Sequence, residues 1–261
     1  MALSRLLQIV SPLGPDALIV TRLSVIEQLG LPYSIEVEVL GASATLKAAE
    51  LLTQEVTVTV ALKVDEQPVK RHFHGLVAEF DRLGPGASSR TEYRLVLVPG
   101  IWRLGLKTDC RVFQNKTVKD IVNAVLAEHD QPAPQWGIVP ALQPMPYCTQ
   151  YNETDLHFVS RLLEEHGLTY YFTHTESAHT LCISATAPGF PAFVGGNVVA
   201  TERSDVLVHL NQWRRFNRPR SAAMQFEDMD GERSQPSVVM KKNIGTRVYA
   251  DEPAMWAKGK N

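Results

Sequence analysis

The chain has 261 residues, 44% of them hydrophobic and 21% charged, with a formal net charge of −2. That is enough chain and enough apolar content to bury a core without disulfide or metal staples, in one large domain or two compact ones. The near-neutral balance excludes a general electrostatic attraction to nucleic acid or to an anionic membrane surface.

The first hundred residues read as β. Tyr33–Val39, Glu55–Leu62 and Tyr93–Val98 alternate apolar and polar side chains, and Pro99-Gly100 stops the last of them. Period two means one buried and one wet face, as in an antiparallel sheet or barrel. Leu83–Ser89 is rich in Gly, Pro and Ser and predicts a hairpin loop between a Phe73–Phe80 strand and the Tyr93 strand. Lys47–Leu52 predicts a short helical turn.

The period then changes. Val118, Ile121, Val122, Val125 and Leu126 make the stripe of an amphipathic helix, entered through Thr117 with Asp120 three residues on, a capping-box pattern. A second helix follows, with Thr154 as N-cap, Asp155 placed to suit the helix dipole, Phe158, Val159, Leu162 and Leu163 as its apolar face and Gly167 as its stop. The two align at an offset of 37 residues: Asn115, Thr117, Val122, Leu126, Glu128 and His129 match Asn152, Thr154, Val159, Leu163, Glu165 and His166. This reads as an internal repeat, and equally as two capped helices that share only a cap, a stripe and a tail. A proline-punctuated connection from Pro132 to Pro146 joins them, and strands are predicted at Leu168–His174, Thr180–Ala185 and Val206–Leu210. From Phe226 the sequence is polar, with no recognisable closing element.

Candidate chemistry is sparse. His72 and His74 share one face of a strand and could ligate a metal, with no third ligand in sight. Cys148 with Asp155 and His157 invites a thiol-hydrolase reading, although nothing local marks Cys148 as a nucleophile. Adjacent Glu164 and Glu165 point about 100° apart on a helix, so they cannot flank a substrate, and Glu164 reads as a partner for Arg161. Asp228–Glu232 resembles a calcium loop but has Val239 where the closing Glu belongs. The run Arg214–Arg220 is a local basic cluster, read as a solvated loop. Cys110, Cys148 and Cys182 form no paired or zinc spacing and read as reduced thiols. No leader pattern and no membrane-length apolar stretch is visible. The expectation is a structural or binding protein with no catalytic, cofactor or metal residues.

Three stretches carry a family resemblance: Arg71–Val77 with Phe80; Tyr93–Pro99 with Trp102-Arg103-Leu104 and Arg111–Val122; and Gln150–Asp155 with Arg161–Phe172. Here the chain resembles the N-terminal part of VgrG proteins, the spike proteins of type VI secretion systems. Similarity is clear from about residue 5 to 185; members often carry Asp-Tyr-Asp-Phe and then Pro-Ser where this chain has Phe226–Asp230. The resemblance implies an α+β, mostly β fold. A β-barrel-like tube domain (1–105) is followed by a small α/β domain (106–190) and the start of a second barrel (191–261), as in phage tail hubs. It further implies a homotrimer that caps the hexameric Hcp tube, contacts baseplate proteins and effectors or adaptors, and transiently meets a target membrane. Assembly would be in the bacterial cytoplasm, with delivery by the secretion machine. The hub of a contractile phage or phage-derived particle is the near alternative, and a hydrolase using Cys148 and His157 the distant one.

Overall fold

The computed structural model describes residues 6–41, 46–64, 67–86, 89–191, 199–200, 209–210, 223–229 and 236–243. Contacts divide the chain into two compact units, Met1–Val199 with Arg203–His209 and Ala200–Glu202 with Leu210–Asn261.

The first unit begins with six strands: β1 (Leu7–Val10), β2 (Leu18–Ile26), β3 (Ser34–Gly41), β4 (Glu55–Val64), β5 (Gln67–Pro85) and β6 (Thr91–Val98). They form one sheet in the order β1-β4-β5-β6-β3-β2, antiparallel at every step. The alternation read from the sequence is the pleat itself. Ile35, Val37 and Val39 of β3 and Leu95 and Leu97 of β6 turn inward beside Val56, Val58, Phe73 and Tyr93, and the sheet curls around this core. Register shifts at Val20/Arg22, Val77/Glu79 and Arg82/Gly84 add the local twist and bend that curling needs. They also let β5 run on to Pro85, which pairs with Thr91, so the first three residues of the loop expected at 83–89 are strand. The helical turn expected at 47–52 is a 3-10 turn, Ala48–Glu50. The Glu55–Leu62 strand lies inside the sheet between β1 and β5; the edges are β1 and β2.

A 3-10 helix, Gly100–Leu106, leads into β7 (Thr108–Phe113), α1 (Val118–Glu128), β8 (Gln135–Trp136), β9 (Cys148–Thr154), α2 (Asp155–Glu165), β10 (Thr169–His174) and β11 (His179–Ser184). Strands β7 and β9 pair antiparallel, β10 and β11 form a hairpin, and β8 adds to β11 in parallel. The two predicted stripes meet. Ile121, Val122, Val125 and Leu126 of α1 and Phe158, Val159, Leu162 and Leu163 of α2 share one core with Leu104, Tyr170 and Ile183. Each such side chain stabilises by about 1.5–3 kcal/mol relative to full exposure. Phe172 packs against both cores.

The offset of 37 residues extends to backbone conformation. Both helices have eleven residues, Thr117 and Thr154 each accept the N–H three residues on, and His129 and His166 close them. The left-handed residues also repeat: Asn115 (φ 52°) with Asn152 (φ 49°), and Asp130 (φ 54°) with Gly167 (φ 66°). A left-handed residue after the last turn is a common helix stop, so what the two segments share beyond caps, stripes and stops is the left-handed asparagine two residues before each N-cap.

Of the later residues, Val199–Ala200 (β12) and His209–Leu210 (β13) are two-residue strands, the latter being the described part of the expected 206–210 strand. Ala223–Met229 (β14) and Pro236–Asn243 (β15) pair antiparallel. The tail thus holds a strand pair where its polarity had shown no element. The basic run 214–220 and residues 230–235 of the calcium-like loop lie outside the described residues.

Candidate functional site

Alternation in β4 and β5 puts Thr57, Thr59, His72 and His74 on the face opposite the curled core. Thr57, Thr59 and His74 are nevertheless buried, because the tip of the β10–β11 hairpin covers them. Thr57 Oγ1 donates to the Glu176 carbonyl at 2.8 Å. The His74 N–H donates to His174 Nδ1 at 3.1 Å, and His74 Nδ1 lies 2.9 Å from His179 Nδ1. The far nitrogen of that ring, His179 Nε2, accepts the Gly100 N–H at 3.0 Å. Tyr33 donates its hydroxyl to the His74 carbonyl at 2.7 Å and sets its ring 4.8 Å from that of His174. His174 Nε2 faces Glu27 Oε1 at 3.4 Å, and Glu27 Oε2 is 2.6 Å from Arg71 Nη2.

The charges follow from this packing. Burial, helped by the neighbouring His74 and His174 rings, pushes the His179 pKa down to about 4. Burial also lowers His74, with Glu55 opposing it. His174 is the largest cause holding the Glu27 carboxyl below its ordinary value; burial opposes it and Arg71 adds to it. Burial pushes the Tyr33 phenol well up.

A second polar knot joins the two helix motifs. The Asp155 side chain is 0% exposed. Its Oδ1 accepts from Arg111 Nη2 and from Gln150 Nε2, both at 2.8 Å, and its Oδ2 lies 2.6 Å from His129 Nε2. Arg111 also reaches Gln150 Oε1 and Glu128. Burial pushes the Asp155 pKa up, but His129, Gln150, Arg111 and Lys107 together hold it below the ordinary value.

The residues singled out from sequence are thereby placed. His72 and His74 do share a face, but His72 Nδ1 bonds Thr59 Oγ1 and His74 bonds His179. Cys148, Asp155 and His157 are not brought together. Cys148 begins β9 and Thr154 ends it, about 20 Å further on at strand rise. His157 bonds Glu153 and Asp155 bonds His129. Burial raises the Cys148 thiol, and the charges that act on it are Arg161, Glu165 and Glu153. Arg161 pairs with Glu153 at 2.6 Å and Glu165 at 3.7 Å rather than with Glu164, because i+4 neighbours align better and the β9 end lies alongside. Sequence reasoning missed His174, His179, Arg111 and Gln150. A usable signal was the buried-looking Thr57 and Thr59 opposite two histidines.

Two clefts flank the 27–31 loop, about 140 Å³ beside Glu27, Tyr33 and Phe172 and about 290 Å³ beside Leu31, Ser160 and Tyr170. Among the described residues no helix is long and apolar enough to cross a membrane.

Comparison with known proteins gives the wider setting. The type VI secretion system spike proteins VgrG1b and VgrG1c of Pseudomonas aeruginosa are each 30% identical over 96% of this chain, and the chain spans 34% and 35% of their lengths. The fold is shared with an E. coli component of the type VI secretion system (TM-score 0.58, 22% identity, 71% of this chain and 52% of that one). That protein is itself described as similar to T4 bacteriophage tail proteins. It is also shared with a tail protein of Neisseria meningitidis (TM-score 0.56, 14% identity, 86% of this chain and 63% of that one). Residues 26–255 match the family model of the phage tail baseplate hub (GPD), and the chain belongs to that family.

Proposed function

We propose that this chain is the hub region of a type VI secretion spike, a structural part and not an enzyme. The observation that carries the reading is the 30% identity to VgrG1b over 96% of the chain. In this reading residues 1–105 are the first tube domain, 106–190 the α/β domain and 191–261 the start of a second tube domain. Two separate apolar cores, one in the curled sheet and one around the helices, support the first boundary. Three copies form a ring that caps the Hcp tube, contacts baseplate proteins, carries effectors or their adaptors and helps to puncture the target membrane. It assembles in the cytoplasm and leaves with the machine. The exposed edges β1 and β2, and the exposed Val112, Tyr147 and Tyr151 on and beside β7–β9, offer surface for such contacts.

Gene deletion tests the reading. Release of the tube protein into the medium is expected to stop, and to return with the wild-type gene and with its Cys148→Ala form. Undiminished release after deletion overturns it. Light scattering on the purified chain is expected to give a trimer mass at high concentration, and a strict monomer counts against the ring.

A hub in a contractile phage-like particle is the second reading, favoured by the fold shared with the Neisseria tail protein over 86% of this chain. It predicts that the protein co-purifies with particles and that secretion does not depend on it.

A further inference from the structure

Each histidine in the seam between sheet and hairpin accepts a hydrogen bond, and that fixes where its own proton sits. His179 Nε2 accepts the Gly100 N–H, so the ring proton of His179 is on Nδ1. That proton points at His74 Nδ1, 2.9 Å away, which must then be the acceptor, leaving the proton of His74 on Nε2. His174 Nδ1 accepts the His74 N–H, which leaves its proton on Nε2, towards Glu27. Every remaining lone pair of the three rings is taken by an N–H. A further proton on any of them replaces an acceptor with a donor and sets two donors against each other.

The surroundings do little to soften that. From β4, Glu55 is the carboxylate beside His74 Nε2, at 3.9 Å, and its side chain is 69% exposed, so solvent screens it. From the end of β2, Glu27 is already balanced by Arg71 of β5. On the same face of β5, His72 is engaged with Thr59. The hairpin itself contributes His174 and His179, whose ring centres are 6.4 Å apart, while the His74 and His179 rings are 5.1 Å apart. The seam can therefore accept one extra positive charge only against neighbouring rings that would also charge.

We infer that this seam is a proton-sensitive latch: protonation of His74 or His179 breaks the Gly100–His179–His74 hydrogen-bond chain and frees the β10–β11 tip from the outer face of β4 and β5, while the curled sheet stays folded. Apart from the histidines, the hairpin is held chiefly by Thr57 to the Glu176 carbonyl and by Phe172 packing edge-on against Tyr33. The latch does not depend on the hub reading, since it rests on contacts within one chain.

The test uses the full chain and long-range proton–nitrogen NMR of the imidazoles from about pH 7.5 to about pH 4.5, with amide exchange in parallel. At the upper end His179 is expected as the Nδ1–H tautomer and His74 and His174 as Nε2–H. On acidification the His74 and Gly100 amides should lose about tenfold or more of their protection, while β2–β3 amides keep theirs. The double variant His74→Asn, His179→Gln cannot take the proton and should show a flat profile. If that variant does not fold, the wild-type tautomers still decide. A His179 proton on Nε2 overturns the proposal. So does seam protection that is constant over the range, or that falls together with that of β2–β3, which would be global acid unfolding.

Discussion

Asp155 Oδ2 lies 2.6 Å from His129 Nε2, so the residue that opens the second helix is held by the residue that closes the first. Arg111 and Gln150 complete the set from the two strands. Removing Asp155 strips His129 Nε2 of its acceptor and takes one partner each from Arg111 and the buried Gln150. Asp155→Ala is expected to cost about 3–5 kcal/mol, and Asp155→Asn less, because the amide keeps an acceptor for Arg111. Urea unfolding of the two variants against wild type measures both.

Stability should fall with acid in two stages. The His74 and His179 pKa values lie below the ordinary 6.5, His179 at about 4. The unfolded chain therefore takes up protons first, so the seam's contribution is complete above about 6.5 and is lost as pH falls towards about 4. Asp155 and Glu153 are also lowered, from 3.8 and 4.5. As carboxylates, they contribute fully above those ordinary values and lose that contribution as pH falls through their folded ones. Thermal melts across pH should show the first stage abolished in His74→Asn, His179→Gln and the second reduced in Asp155→Asn.

The left-handed residues that end the two helices make opposite predictions. Gly167 has φ 66° and open space where a Cβ would stand, so Gly167→Ala should cost about 1 kcal/mol from backbone strain alone. Asp130 has φ 54°, and Asp130→Gly should change stability by no more than a few tenths of a kcal/mol, in the favourable direction. Calorimetric midpoints decide the sign.

The three free thiols should react in order of access. Cys110 is exposed, Cys148 half-buried with its thiol raised by burial, and Cys182 buried. Maleimide labelling followed by mass spectrometry is expected to modify Cys110 first and Cys182 last. Fast selective labelling of Cys148 would mark an activated nucleophile and reopen the hydrolase reading.

Features written within a few residues were legible in the sequence. The caps Thr117 and Thr154, the two stripes and the Gly167 stop are local devices, and the helices form where those devices place them. Strands β3, β4 and β6 were legible because one face of each meets a core. Strand β7 was not: it is half-exposed, and its inner positions include Arg111, which serves the Asp155 knot rather than an apolar layer. The seam was illegible for a different reason. His74 showed only its spacing from His72, while His174 and His179 lie 100 and 105 residues further on. No local period can announce a pairing that only the tertiary fold creates.

Those separations also bear on the order of events during folding. The strands of the curled sheet are mostly close in sequence, whereas Thr57 meets the Glu176 carbonyl across 119 residues. Closing so long a loop before other contacts hold the ends is entropically unfavourable, so the seam forms late. Contacts absent from the folding transition state change mainly the rate of unfolding. Weakening the seam should therefore shorten the lifetime of the native chain while leaving its rate of formation almost untouched.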